Sequence, residues 1–221
     1  YLLRGAIAKL RKSFEAQEQA AMAASPSGDT PPPEEDAYSI SFRPAPTDPL
    51  TKLATQAYFL DRLNQELARA RRYPQQFSVL LIAPDQKLPD ADLAALARLL
   101  RTSVRSIDLV SRLTGERFGM LLPHTGREAA VLADRLVRTV ASRLKAGAGS
   151  RPATATEGEV EPPQLPVTVA VGFAVYPSNG RTVEALWESA EQALVEAQRQ
   201  GGNRHLRGQP AASNGPAAAP A

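Results

Sequence analysis

Arg105-Ser106-Ile107-Asp108-Leu109-Val110-Ser111-Arg112-Leu113-Thr114-Gly115-Glu116-Arg117-Phe118 is the stretch on which the reading of this chain turns. Leu109 to Leu113 (Leu-Val-Ser-Arg-Leu) is one short strand-like run. Phe118 to Leu122 is another, closed by Pro123. Thr114 to Arg117 between them has turn composition, so the two runs predict a hairpin inside the domain. Arg105 and Asp108 stand three residues apart just before it, at the end of a helical pattern.

Working outward, Phe77 to Ile82 (Phe-Ser-Val-Leu-Leu-Ile) is almost wholly apolar and predicts a central strand buried on both faces. Asp90 or Asp92 opens a helix with Leu93, Leu96, Leu99, Leu100 and Val104 on one side. Arg127 to Leu144 predicts another, with Val131, Leu132, Leu136 and Val140 apolar. Val167 to Val175 alternates and is β-branched, hence a strand, and Thr182 to Gln200 is a helix stopped by Gly201-Gly202. At the start of the domain, Thr47 or Asp48 caps a helix with Pro49 in its first turn. Leu50, Leu53, Ala57, Phe59, Leu60, Leu63 and Leu67 then run at helical spacing to Tyr73-Pro74. The order α-β-α-β-β-α-β-α, with its internal hairpin, argues against a domain that alternates throughout. The fold class it predicts is α/β in the α+β sense. The four strands in that order make a sheet covered by helices.

Around this domain of residues 48–207, the ends read differently. Leu3, Ile7, Leu10 and Phe14 give residues 1–24 a heptad-like seam, which suits a coiled-coil helix and a homodimer, or equally a single amphipathic helix. Residues 25–47, with Pro31-Pro32-Pro33-Glu34-Glu35-Asp36, have linker composition. Residues 145–165 read as a mobile insertion and 208–221 as a disordered tail.

Composition narrows the chemistry. The 221 residues are 43% hydrophobic and 22% charged, which is ordinary for a globular domain, with a net charge of +3 spread along the chain. That spread gives no reason to expect a nucleic-acid partner. There is no cysteine, so disulfides, thiolate catalysis and thiolate metal sites are excluded. His124 and His205 lie too far apart in sequence to suggest a histidine metal cluster. No apolar run is long enough to span a bilayer. We therefore expect a cytoplasmic chain, and its start at Tyr1 rather than Met suggests a piece of a longer protein.

The turn Thr114-Gly115-Glu116-Arg117-Phe118 resembles the GGDEF signature of diguanylate cyclases. Thr114 stands at the first glycine and Arg117 at the second acid. The resemblance extends from Asp48-Pro49-Leu50-Thr51 through Asp108-Leu109-Val110-Ser111-Arg112-Leu113, Ala133-Asp134-Arg135-Leu136 and Val167-Thr168-Val169-Ala170-Val171-Gly172 to the closing Gly202-Asn203-Arg204. No single segment is specific, but their order over about 155 residues is. For the fold, the resemblance of the same residues implies a central mixed or antiparallel sheet of about five strands flanked by helices.

The resemblance implies that a cyclase would need metal ions to activate a hydroxyl and neutralise a triphosphate. The family's metal-binding Asp at the end of the first strand is Ala83 here, with Asp85 two residues on. Glu116 keeps one acid, but Arg117 opposes a metal. The family's guanine-reading loop after that strand is nearly absent between Asp85 and Asp90. Its phosphate-binding Lys and Arg correspond to Gln198 and Gly202. The expectation is a catalytically inactive domain, without metal or other cofactor. Glu116 and Arg117 would then form a solvated turn.

The family's product-binding Arg-x-x-Asp pair, in contrast, is whole at Arg105 and Asp108, with Arg135 at the position of a second arginine. An arginine fork can donate to the O6/N7 edge of guanine or stack on it, while a carboxylate accepts from N1–H and N2–H. The resemblance thus implies a receptor for cyclic di-GMP, bound at Arg105, Asp108 and Arg135 and bridging two domains. The bland alternative is an i,i+3 surface ion pair between Arg105 and Asp108. A ligand-free scaffold for dimerisation or partner docking is the rival function, and residual GTP-binding cyclase activity a third.

Overall fold

In the computed structural model of the protein, residues 46–145 and 166–210 are described. The helix expected over 1–24 and most of the linker, insertion and tail lie outside them.

Strand β1 (Phe77–Pro84) is buried along its whole length, as its apolar run dictates. It is the middle strand of a five-stranded sheet ordered β2-β3-β1-β4-β5. β2 (Leu109–Arg112) and β3 (Phe118–Pro123) form the expected hairpin, with Arg112 opposite Phe118. β3 and β4 (Val169–Tyr176) both run antiparallel to β1, so that Leu80 faces Met120 on one side and Phe173 on the other. β5 (Arg204–Arg207) joins β4 in parallel at the edge. The sheet is the mixed, mostly antiparallel one expected, but β5 is a strand that periodicity did not reveal. Its sequence, Arg-His-Leu-Arg, has one apolar residue and no buried one, which leaves no pattern to read.

Among the described residues four helices cover the sheet: α1 (Gln56–Arg72), α2 (Asp90–Thr102), α3 (Ala129–Arg143) and α4 (Val183–Arg199). Side chains alternate along β1. Val79, Leu81 and Ala83 join Phe59 and Leu63 of α1 and Leu186 and Leu194 of α4 in one core. Leu80 and Ile82 join Leu96 and Leu100 of α2 and Leu136 and Val140 of α3 in the other. The period-2 strand thus serves two helical layers at once.

Three expectations are corrected. First, α1 opens at Gln56, not near Pro49; Thr55 is its N-cap, the hydroxyl accepting from Tyr58 N–H at 3.5 Å. Asp48 instead closes a turn of its own, accepting from the Thr51 amide at 2.8 Å and the Thr51 hydroxyl at 2.7 Å. Lys52 then takes φ 58°, a left-handed conformation through which no helix continues. Leu50, assigned to the helix's apolar side, lies in that turn and is 38% exposed. Burial pushes the Asp48 carboxyl up, but the Thr51 hydrogen bonds and the Arg112 charge outweigh it and hold the group below its ordinary value. Second, Val131 is 70% exposed: α3 lays Ala129, Ala133, Leu136, Val137 and Val140 on the sheet, a stripe that excludes it. Third, the helix over 127–144 starts at Ala129, because Arg127 and Glu128 belong to the preceding turn.

Candidate functional site

Gly115, at φ 71°, lets the β2–β3 turn reverse, and Leu113 N–H donates to Arg117 O at 2.9 Å to close it. The turn is solvated as expected only in part: Thr114 and Gly115 are exposed and Glu116 and Arg117 half-buried, but its side chains also have partners elsewhere in the fold. Thr114 donates from both its amide and its hydroxyl to Gln56 Oε1, each at 3.0 Å. Glu116 Oε2 accepts from Leu88 N–H at 3.2 Å. The Arg117 guanidinium reaches α4 and pairs with Glu191 at 2.5 Å. Arg112 adds a hydrogen bond to Gly115 O and lies over the Phe118 ring, 5.4 Å from its centroid. The turn is tied to three other segments through long-range contacts, which local composition does not report.

The Arg117–Glu191 pair is uneven: the Glu191 side chain is 9% exposed and that of Arg117 40%. Removing the partner of a buried charge costs ~3–5 kcal/mol, but water at the arginine end screens this pair. Arg117→Ala is therefore expected to cost about 1–2 kcal/mol, and Arg117→Ala/Glu191→Gln to recover most of it. Thermal denaturation of the two variants measures this; an unchanged midpoint in the single variant would show that the pair contributes nothing.

The positions at which a diguanylate cyclase would hold metal do not fit one here. Ala83 is 4% exposed and packed in the α1/α4 core, with no oxygen to offer. Asp85 is occupied elsewhere, its Oδ2 accepting from Asn203 N–H at 2.8 Å and its amide bonded to Thr168 O at 3.0 Å. Its carboxylate sits against Gly202, where an added Cβ would lie 2.3 Å from the carboxylate carbon. Glu116 and Arg117 are engaged as described. Among the described residues no group of three or more His, Asp or Glu side chains is placed to hold a metal ion. β1 ends at Pro84 and α2 begins at Asp90, so the connecting loop is short. Gln198 is exposed on α4.

Arg105 and Asp108 lie in the turn between α2 and β2. Arg105 N–H donates to Asp108 Oδ2 at 2.9 Å, and Asp108 N–H to Arg105 O at 3.2 Å. The expected alternative, a side-chain ion pair, is not what holds the turn: the carboxylate caps the backbone instead. Asp108 is 9% exposed, and its second oxygen, Oδ1, is buried without a hydrogen-bond partner among the described residues. Arg105 projects into solvent. Arg135, on α3, donates from its guanidinium to Ser103 O at 2.9 Å, two residues before Arg105. The fold thus brings Arg135 to the same turn that carries Arg105 and Asp108. The partners that sequence reasoning missed are Gln56, Glu191 and the Asp85–Asn203 contact. Each is fixed by tertiary packing, and only Glu191, a carboxylate on the buried face of α4, carries a local signal.

A five-stranded, mostly antiparallel sheet between two helix pairs, with a glycine turn beside its central strand and an Arg-x-x-Asp turn ahead of it, defines a GGDEF-type domain. The sequence profile of the family "Diguanylate cyclase, GGDEF domain" matches residues 45–204, and the chain belongs to this family of cyclic di-GMP metabolism. It is 30% identical over 172 residues to diguanylate cyclase TpbB of Pseudomonas aeruginosa, covering 72% of this chain and 37% of that protein. It is 31% identical over 173 residues to the response regulator PleD of Caulobacter vibrioides, covering 74% of this chain and 36% of PleD. The chain thus spans little more than a third of these relatives. Among solved structures it resembles the isolated GGDEF domain of the Pseudomonas aeruginosa protein TpbB, or YfiN. There the TM-score is 0.63 at 27% identity, covering 74% of this chain and 95% of that one. Among the described residues no helix is long and apolar enough to cross a membrane.

Proposed function

We propose that this chain is a catalytically inactive GGDEF domain that acts as a cytoplasmic receptor for cyclic di-GMP. Arg105 and Arg135 would donate to or stack on guanine, and Asp108 would accept from its N1–H and N2–H edge. The observation that carries the reading is a contrast between two turns of one domain. The turn that would catalyse has its polar side chains committed to internal partners: Thr114 to Gln56, Glu116 to Leu88 and Arg117 to Glu191. The turn that would bind product leaves the Arg105 guanidinium in solvent and brings Arg135 beside it. The ligand would act by bridging two copies of the domain.

Two measurements test the two halves of the proposal. Equilibrium titration with cyclic di-GMP is expected to show saturable binding at or below tens of micromolar. An absence of heat or shift there would remove the receptor reading. Incubation with GTP and Mg²⁺ or Mn²⁺ is expected to yield no cyclic product; formation of cyclic di-GMP would overturn the inactive assignment.

A ligand-free docking scaffold is favoured by one observation. Ile107, inside the Arg105–Asp108 turn, is 57% exposed and Val131, one helical turn before Arg135, is 70% exposed. That reading predicts no response to the dinucleotide.

A further inference from the structure

A cleft of about 480 Å³ opens on the inner side of the Arg105–Asp108 turn. Its walls are the turn that opens the domain, the C-terminal half of α2 and the start of β2. Lys52, Arg98 and Arg101 line it, and all three are exposed. None of these three cations makes an ion pair or a side-chain hydrogen bond among the described residues. Arg98 and Arg101 are i,i+3 neighbours on one face of α2, and Arg105 follows in the turn past the helix end. Lys52 is held in the cleft wall by a φ of 58°, a costly conformation for a residue with a Cβ.

Asp108 lines the same cleft, with Oδ1 lacking any donor. Asp108 is nine-tenths buried, and a buried carboxylate oxygen with no partner among the described residues calls for an N–H group. Three unpaired cations beside it call for an anion of more than one charge. A guanine dinucleotide offers both: N1–H and N2–H on the base, and phosphodiesters a few ångströms from it.

We infer that Lys52, Arg98 and Arg101 bind the phosphodiester groups of the dinucleotide whose base is held at Arg105 and Asp108. The inference rests on the receptor reading and extends it to residues on α2 and the opening turn. With it the site becomes a two-sided one, base on the turn and phosphates in the cleft.

Calorimetric titration of the full chain with cyclic di-GMP tests it, comparing wild type with Arg98→Gln/Arg101→Gln, Lys52→Gln and Arg105→Ala. A control, Arg72→Gln/Arg127→Gln, removes the same two charges from exposed positions elsewhere. The Arg98/Arg101 double variant is expected to bind at least about tenfold more weakly, with a shallower salt dependence, because two charge-assisted contacts are lost. Lys52→Gln is expected to weaken binding about threefold and the control less than twofold. All substituted side chains are exposed, so unchanged melting temperatures verify folding. If wild type binds and Arg105→Ala does not, while the Arg98/Arg101 variant matches wild type, the cleft assignment fails and the receptor reading stands. If wild type does not bind, both fall together.

Discussion

Arg105→Ala is expected to weaken cyclic di-GMP binding by roughly 10- to 100-fold while leaving the melting temperature unchanged. The magnitude follows from the loss of one well-placed arginine–guanine contact, worth ~1–3 kcal/mol. The thermal result follows from the structure. Arg105 contributes its backbone, not its guanidinium, to the turn, since its N–H donates to Asp108 and its carbonyl accepts from Asp108 N–H. Truncating an exposed side chain that supports no fold contact shifts stability by less than about 0.5 kcal/mol. Asp108→Ala would behave differently. It removes the acceptor for Arg105 N–H as well as the proposed guanine acceptor, so both affinity and melting temperature should fall. Paired measurement of affinity and thermal midpoint on the two variants therefore separates a binding role from a structural one. If Arg105→Ala bound like wild type, the pair would be a turn cap and nothing more.

That distinction marks the boundary of what sequence could reveal. β1, the hairpin and α2 were legible because their apolar runs and periods are local properties of the chain. α4 was legible from its span and from the two glycines that stop it; the structure starts the helix one residue later than expected, at Val183, with Thr182 as its N-cap. β5 was not, because an exposed edge strand of four residues has no buried face to impose alternation. The start of α1 was misplaced because Asp48-Pro49 and Thr55 both look like helix openings. Only the left-handed Lys52 between them decides for the second.

At the site, the residue types of the Arg105–Asp108 turn could be read directly, but their roles could not. Beside ligand binding, the spacing left a side-chain ion pair as the bland alternative, whereas geometry gives a carboxylate bonded to the backbone. The opposite occurred at Glu116 and Arg117. Two charged residues in a tight turn look solvated until the fold places Leu88 and Glu191 beside them. Glu191 is the telling case, because a carboxylate in the apolar face of a helix is a local inconsistency that requires a partner. That was a signal in the sequence, though it could not say which cation would arrive.

The same packing logic makes Gly172 the most vulnerable point of the fold. On β4 the side facing α4 carries Ala170, Gly172 and Ala174, while the opposite side carries Val169, Val171, Phe173 and Val175. This asymmetry lets α4 approach the sheet closely. A Cβ on Gly172 would lie 2.2 Å from Ala190 O and 2.2 Å from Leu194 N, both backbone atoms. Backbone in the middle of a helix cannot rotate away as a side chain could, so α4 itself must move outward. Leu186, Leu194 and Ala197 would then lose contact with the core, and Glu191 would be drawn from Arg117. Overpacking of this kind costs ~1–3 kcal/mol, and a clash with backbone belongs at the upper end. We expect Gly172→Ala to cost about 3 kcal/mol, which in a domain of this size lowers the melting temperature by roughly 6–12 °C. Gly115→Ala provides the contrast. A Cβ there meets nothing within 4 Å, and only the positive φ of 71° opposes it, at a cost of about 1–2 kcal/mol. If the order of the two midpoints were reversed, backbone freedom rather than the α4 contact would be what the glycine at 172 supplies. On the receptor reading, Gly172→Ala should below its melting point match wild type in cyclic di-GMP titration, because Arg105, Asp108 and Arg135 are carried by α2, α3 and the turn after α2, on the opposite face of the sheet.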